Sequence, residues 1–130
     1  MIRFARQQFE KHPGSQLVAL NEKGELFSST IFDSAKRGDE LGGIVAETVL
    51  CAIVSMVQEL VNIMDPAAIV VGGGMLSGGW LLPRVIERVS AWLPPTCRDL
   101  ADRIFPSALD PQKVGLLGAA TNAFLRNDAR

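Results

Sequence analysis

One short segment carries most of the chemistry that this sequence could perform. Residues 67–71 form a run of small and β-branched apolar residues, and Gly72, Gly73, Gly74 and Met75 follow directly. The run predicts a buried strand of a parallel sheet, because neither of its faces shows polar alternation. Glycine leaves the backbone without a Cβ at the carboxyl end of that strand, where ligands bind in open α/β sheets. The segment therefore indicates either a ligand site lined by backbone or a plain structural turn.

The three glycines match neither of the common phosphate-binding motifs. No Gly-Lys-Ser/Thr follows them, which excludes a P-loop. Their spacing, and the lack of a distant acidic partner, exclude the Rossmann dinucleotide fingerprint. The amides at the start of the next helix could add a modest preference for an anion.

The remaining reactive side chains do not form a catalytic or metal-binding set. Cys51 and Cys97 are 46 positions apart, without a CxxC motif, and are expected to be free reduced thiols. His12 is the only histidine and precedes Pro-Gly, so it is expected in a loop. Capping explains the three aspartates that lie at predicted helix boundaries, which are Asp33, Asp39 and Asp65. We therefore predict no catalytic residue and no metal site in this chain.

Composition narrows the class of protein. The 130 residues fit one small domain or a piece of a larger one, and the net charge is −1. The charges are scattered, aromatic residues are 6% and tyrosine is absent, so nucleic-acid binding has no support. No uninterrupted apolar run reaches the roughly 18 residues that span a membrane, and the first residues lack a signal core. We expect a cytoplasmic protein that binds neither nucleic acid nor a membrane.

Periodicity predicts the elements that must position the glycine segment. Capping-box spacing predicts that one helix begins at Thr30, with Asp33 as its partner, and ends at Gly38. Asp39 is expected to cap the longest helix, whose wide apolar stripe predicts burial on more than one side. The other predicted elements are helices over 2–11, 16–22, 80–93 and 113–126, and strands over 67–71 and 103–107.

The order of these elements predicts an α/β fold that is rich in helix and has a short parallel sheet. Two strands are fewer than a stable sheet normally has, so the chain is expected to hold only part of a sheet. We interpret residues 1–130 as a single segment, with a helical part over 1–64 and a strand, glycine-loop and helix part over 65–130. The helices over 39–64 and 80–93 are expected to cover the two faces of the first strand.

Three segments, in order, carry a resemblance to a known family. Residues 31–39 resemble the motif IFEAAKxGD, residues 62–74 resemble NxLDPExIVIGGG, and residues 115–120 resemble GLIGAA. Residues 13–17 are also similar to a segment of the bacterial glucokinase branch. On these motifs the chain resembles the C-terminal half of ROK-family sugar kinases of the glucokinase type.

The resemblance implies a fold, a reaction and a binding site. The fold would be the C-terminal part of an actin-like, ribonuclease-H-like ATPase lobe, and the family transfers the γ-phosphoryl group of Mg-ATP to a sugar hydroxyl. By resemblance, Gly72, Gly73, Gly74 and Met75 would hold the adenosine part of ATP. The helix that ends at Gly38 would form another wall of that pocket.

The resemblance also implies what this segment lacks. The first phosphate loop, the catalytic aspartate, the sugar-binding residues, the second phosphate loop and the cysteine-rich zinc motif of the family are not in this sequence. The chain is therefore expected to be inactive alone, to bind adenine nucleotide but no zinc, and to form homo-oligomers or join a partner that carries the N-terminal half. The alternative is a non-enzymatic regulator or assembly module derived from the same family. The sequence does not specify the sugar.

Overall fold

The chain folds into helices around a short parallel sheet. The computed structural model describes residues 1–76, 78–93, 95–110 and 113–127. The helices are α1 (Ile2–Gln7), α2 (Gln16–Glu22), α3 (Ser28–Lys36), α4 (Glu40–Met64), α5 (Leu81–Trp92) and α6 (Val114–Asn127). The strands are β1 (Ile69–Val71) and β2 (Ile104–Pro106), and two 3-10 helices span Gly74–Leu76 and Pro95–Arg103. The strands pair in parallel, with Ile69 opposite Ile104, so the predicted α/β order is confirmed.

Local signals set several helix ends as predicted. The Ser15 hydroxyl accepts a hydrogen bond from the backbone of Leu17 and caps α2. Asp39 caps α4 by accepting from the Gly42 amide at 2.7 Å. Gly38 ends α3 with a φ of +83°, and Asp65 ends α4 with a φ of +42°. Each of these residues supplies the side-chain acceptor or the left-handed backbone that a helix end requires.

Two predicted helix boundaries were wrong. The helix α3 begins at Ser28, so Thr30 is its third residue, and the predicted capping box between Thr30 and Asp33 does not form. Instead the Thr30 hydroxyl accepts a hydrogen bond from the backbone amide of Phe27, the N-cap residue, at 2.9 Å. This is the bond that the third helical residue makes in a capping box. The helix α1 ends at Gln7, because the Gln8 amide bonds three residues back, to Ala5, and tightens the chain into turns.

The core consists of two clusters that share α4. The first joins the four N-terminal helices through Ala5, Leu17, Leu26, Ile31, Leu41 and Val45. The second places α5 against the second half of α4 and against the sheet, through Leu50, Val54, Val57, Ile69, Leu81, Val85, Val89 and Ile104 among others. The helix α4 therefore holds α3 at one end and the strands at the other.

Several surfaces that were expected to be buried are open. Within β1, Ile69 lies in the core but Val70 is 66% exposed, so only one face of the strand is covered. The helix α4 contributes buried residues to both clusters, but Ile63 and Met64 near its end are 81% and 69% exposed, so its last turns are open on one side. In α6, Phe124 is 74% exposed and Ala120 is exposed as well. The side chains of Leu117 and Ala123, which were expected to pack, lie outside the described residues.

The helix α4 is long and apolar enough to cross a membrane by length and composition, with a mean hydropathy of 1.9. The sequence expectation missed this because Glu47 and Glu59 interrupt the apolar run. A core helix of a globular protein meets the same criterion. In this structure Leu41 and Val45 pack against the N-terminal helices, and 28% of the apolar window is buried.

Candidate functional site

The loop after β1 and the helix α3 form the two sides of one cleft. Gly74 and Met75 come from the loop, and α3 contributes its polar face. The cleft has a volume of about 110 Å³ and is lined by Ser29, Phe32, Asp33, Lys36, Gly74, Met75, Gly78 and Trp80. The family resemblance led us to expect these two elements to lie side by side, although they are far apart in sequence.

The four predicted adenosine-binding residues divide into two pairs. Gly74 and Met75 line the cleft, whereas Gly72 and Gly73 do not. A Cβ on Gly72 would lie 3.3 Å from Cβ of Ser107, so this glycine lets the loop pack against the residue after β2. Gly73 has a φ of +112°, which L-residues with a side chain rarely adopt. Gly74 and Met75 could therefore contact a ligand, whereas Gly72 and Gly73 shape the turn that presents them.

Lys36 connects the two sides of the cleft. Its Nζ donates to the carbonyl oxygen of Gly78 at 3.3 Å and lies 3.3 Å from Oδ1 of Asp33. Both contacts are at the solvent-exposed rim, where an ion pair of this kind adds little stability. The ammonium group is therefore held over the cleft by weak contacts, which an anionic or hydroxyl-bearing ligand could replace.

Aromatic rings form the apolar side of the cleft. The Phe32 and Trp80 rings lie 5.3 Å apart with an angle of 35° between their planes. Cζ of Arg84 lies 4.2 Å from the centre of the Trp80 ring, which is a cation–π contact. A flat ligand entering the cleft would meet a ring that is already held in place.

Sequence reasoning gave one of the cleft residues another role and missed others. Asp33 was taken as a helix cap. Lys36 and Ser29 were not singled out. The available signal was their spacing, because residues 29, 33 and 36 repeat every three or four positions and share one polar face of α3.

A larger hollow, of about 470 Å³, lies between residues 11–16 and 37–41. Its polar groups bind one another. The Asp39 carboxylate accepts from the Ser15 hydroxyl, the Gln16 amide and the Gly42 amide. Arg37 donates to the Gln16 side chain, and His12 lies 3.5 Å from Glu40. Because this network joins α2 to α4, the hollow is structural, and the smaller cleft is the better candidate site.

Partial burial raises the pKa of Asp39, but its hydrogen bonds from Gly42, Gln16 and Ser15, together with the nearby His12, outweigh that effect. The pKa therefore falls below its ordinary value, so the folded chain favours the carboxylate form.

Comparison with known proteins identifies the family. The family model for ROK proteins matches residues 7–124, which is most of the chain. The chain belongs to the ROK family. A glucokinase of Thermotoga maritima is 26% identical over 129 residues, and the match covers 92% of this chain and 38% of the glucokinase. The crystal structure of a protein described as a sugar kinase from Cytophaga hutchinsonii superposes with a TM-score of 0.67 at 26% identity, over 95% of this chain and 40% of that protein.

These matches confirm the predicted family and fold. The ROK segment has the helix-rich α/β architecture of a solved sugar kinase, with a short parallel sheet. The segment spans about two fifths of the length of both relatives. Both relatives therefore hold much more chain than this segment does.

Proposed function

We propose that this ROK segment provides one wall of the adenosine site of an ATP-dependent sugar kinase and that it phosphorylates no sugar by itself. The observation that carries the proposal is the cleft between α3 and the glycine loop. It joins bare backbone at Gly74, an aromatic surface at Trp80 and the ammonium group of Lys36. This combination suits a flat base linked to a hydroxyl-rich or anionic group.

The size of the cleft supports a partial site. Complete pockets for small molecules measure about 300–1,000 Å³, whereas this cleft measures about 110 Å³. A ligand held on one side makes only part of its contacts. We expect ATP to bind the isolated segment in the millimolar range, which corresponds to about −4 kcal/mol.

We expect no activity because of the chemistry of phosphoryl transfer. That reaction requires Mg²⁺, groups that hold the phosphates and a residue that orients the nucleophile. The segment lacks the family motifs that would supply these groups. Among the described residues no three His, Cys, Asp or Glu side chains are grouped to hold a metal ion. We expect no glucose 6-phosphate to form above a control without protein, and clear turnover by the purified segment would contradict the proposal.

A fluorescence titration tests the nucleotide site directly. The variant Trp92→Phe leaves Trp80 as the only tryptophan, so ATP in the cleft should change its emission. In that background, Gly74→Val should weaken ATP binding at least tenfold, because a side chain would fill the space next to the backbone. A Cβ at Gly74 meets no protein atom within 4 Å, so the melting temperature should change little.

Gly14→Val is the matched control for that titration. Gly14 also has open space around its Cβ position and has no positive φ, but it lies in the larger hollow. The control should bind ATP as the parent does. Equal ATP affinity in the Gly74 and Gly14 variants would place the nucleotide elsewhere or show that it does not bind.

A further inference from the structure

The indole of Trp80 is the larger of the two aromatic side chains that line the cleft, and the backbone around it does little to orient it. Trp80 directly precedes α5, where no side-chain hydrogen bond caps the helix. Two glycines come before it, and a Cβ at Gly79, which has a φ of +64°, would meet nothing within 4 Å. The orientation of the indole must therefore depend on the side chains that lie against it.

Among the described residues the indole makes one aromatic contact and one cation–π contact. The aromatic neighbour is Phe32, a core residue of α3 that is 5% exposed. The cation is the guanidinium of Arg84, whose Nη1 also donates to the Trp80 carbonyl oxygen at 3.4 Å. Side chains of a helix lean toward its N-terminus, so a residue four positions along α5 can reach back over Trp80. One neighbour of the ring is thus fixed by the core, and the other is an exposed side chain.

The charge of Arg84 has no competing partner in the described part of the chain. No carboxylate there forms an ion pair with it, whereas Arg88, one turn further along α5, pairs with Glu47. A planar guanidinium is well suited to stacking on an aromatic face. Arg84 is therefore free to stay on the indole, and Arg88 is drawn toward α4.

We propose that Arg84 is a positioning residue of the nucleotide cleft. Arg84 is not one of the residues that line this cleft; it lines a separate hollow of about 360 Å³ beside α4 and α5. A ligand in the cleft would touch the indole and not the guanidinium, so Arg84 acts through Trp80. By restricting the indole to one orientation, it keeps a flat surface ready for the base. This inference rests on the proposed function, since the orientation of the ring matters only if a base packs there.

The size of the effect follows from the population of the competent orientation. When only a fraction of the molecules has the binding-competent form, the apparent Kd rises by the inverse of that fraction. An exposed cation–π contact corresponds to about a two- to fivefold change in a population. Loss of the guanidinium should therefore weaken ATP binding about two- to fivefold.

The experiment compares three variants of α5 in the Trp92→Phe background, where Trp80 is the only tryptophan. Arg84→Met removes the cation but keeps an unbranched side chain of similar helix propensity. Arg84→Lys restores a cation that can lie over the ring. Arg88→Met is the matched control, because it makes the same change one turn away from the indole. Both arginines are exposed, so circular dichroism should show unchanged folding.

Two measurements are made on each variant. Time-resolved fluorescence anisotropy without nucleotide should show faster indole motion in Arg84→Met, unchanged motion in Arg88→Met and an intermediate result in Arg84→Lys. Titration with ATP should give a two- to fivefold weaker affinity for Arg84→Met, partial recovery for Arg84→Lys and the parent affinity for Arg88→Met. A purely structural role of Arg84 would change neither the local motion nor the affinity in this order.

Three results would overturn the positioning role. They are unchanged indole motion in Arg84→Met, equal ATP affinity in Arg84→Met and its parent, and equal effects of the two methionine substitutions. The parent serves as the test of the nucleotide site itself. If the parent does not respond to ATP, the nucleotide proposal fails and the role of Arg84 in binding fails with it. If the parent binds ATP and Arg84→Met binds it equally well, only the positioning role is refuted.

Discussion

Gly42 and Gly43 are adjacent in the first turns of α4, and the structure predicts opposite effects for the same substitution. A Cβ on Gly42 would lie 2.8 Å from the backbone nitrogen of Ala35 and 3.1 Å from the carbonyl carbon of Ser34. A Cβ on Gly43 would meet nothing within 4 Å. The test therefore compares Gly42→Ala with Gly43→Ala, each of which adds one methyl group.

The magnitudes follow from two opposing effects. Replacing glycine by alanine inside a helix gains about 0.5–1 kcal/mol in either case. At Gly42 the new methyl meets helix backbone, which cannot move aside as a side chain can, and overpacking of this kind costs about 1–3 kcal/mol. We expect Gly42→Ala to lower the free energy of unfolding by about 1–2 kcal/mol and Gly43→Ala to raise it by up to about 1 kcal/mol.

Urea denaturation followed by circular dichroism measures both values under the same conditions. The gain in helix propensity cancels between the two variants, so they should differ by the overpacking cost, about 1–3 kcal/mol. Because α3 carries Phe32 and Lys36 into the cleft, Gly42→Ala should also reduce the response of Trp80 to ATP. If Gly42→Ala proves as stable as Gly43→Ala, the close approach of α3 to α4 is not a tight constraint and the reasoning fails.

Two further predictions concern the caps. Asp39→Ala should cost about 2 kcal/mol, since the carboxylate serves the first turns of α2 and α4 at once. Its lowered pKa means that this contribution is complete above about pH 4 and is lost as the pH falls through the folded pKa. Denaturation of parent and variant from pH 7 to pH 3 should show their difference shrinking, and a constant difference would count against the ionised cap. Thr30→Val should cost about 1 kcal/mol by removing the bond to the Phe27 amide, whereas Thr48→Val, whose hydroxyl only bonds Ile44 four residues back, should be nearly neutral in the same melts. If the two threonine variants lose the same free energy of unfolding, Thr30 has no capping role.

The features that depend on residues close together in the sequence could be predicted from the sequence. The helix ends at Gly38 and Asp65 and the caps at Ser15 and Asp39 were predictable, because each involves groups a few residues apart. The strand before the glycines was predictable from its β-branched run, although its ends were not. The family followed from three motifs in order, and the match over residues 7–124 confirmed it.

The cleft depended on contacts between distant residues. Lys36 meets Gly78 across 42 positions, and no local pattern encodes that pair. The family resemblance also gave Gly72 and Gly73 the same role as Gly74, although Gly72 packs on Ser107 and Gly73 supplies a positive φ. Only the folded chain separates the residues that line the cleft from those that shape the turn.

The tertiary structure also determined which apolar side chains are exposed. The apolar character of Val70 and Ile63 was plain in the sequence, and it was taken to mean burial within this chain. Moving a hydrophobic side chain out of water lowers the free energy, but hydrophobicity does not specify which surface will cover that side chain. In this segment the neighbours that would cover both residues are absent from the described structure. The sequence therefore determined which elements form and several of their ends, and the packing of distant elements determined which faces became core, cleft or open surface.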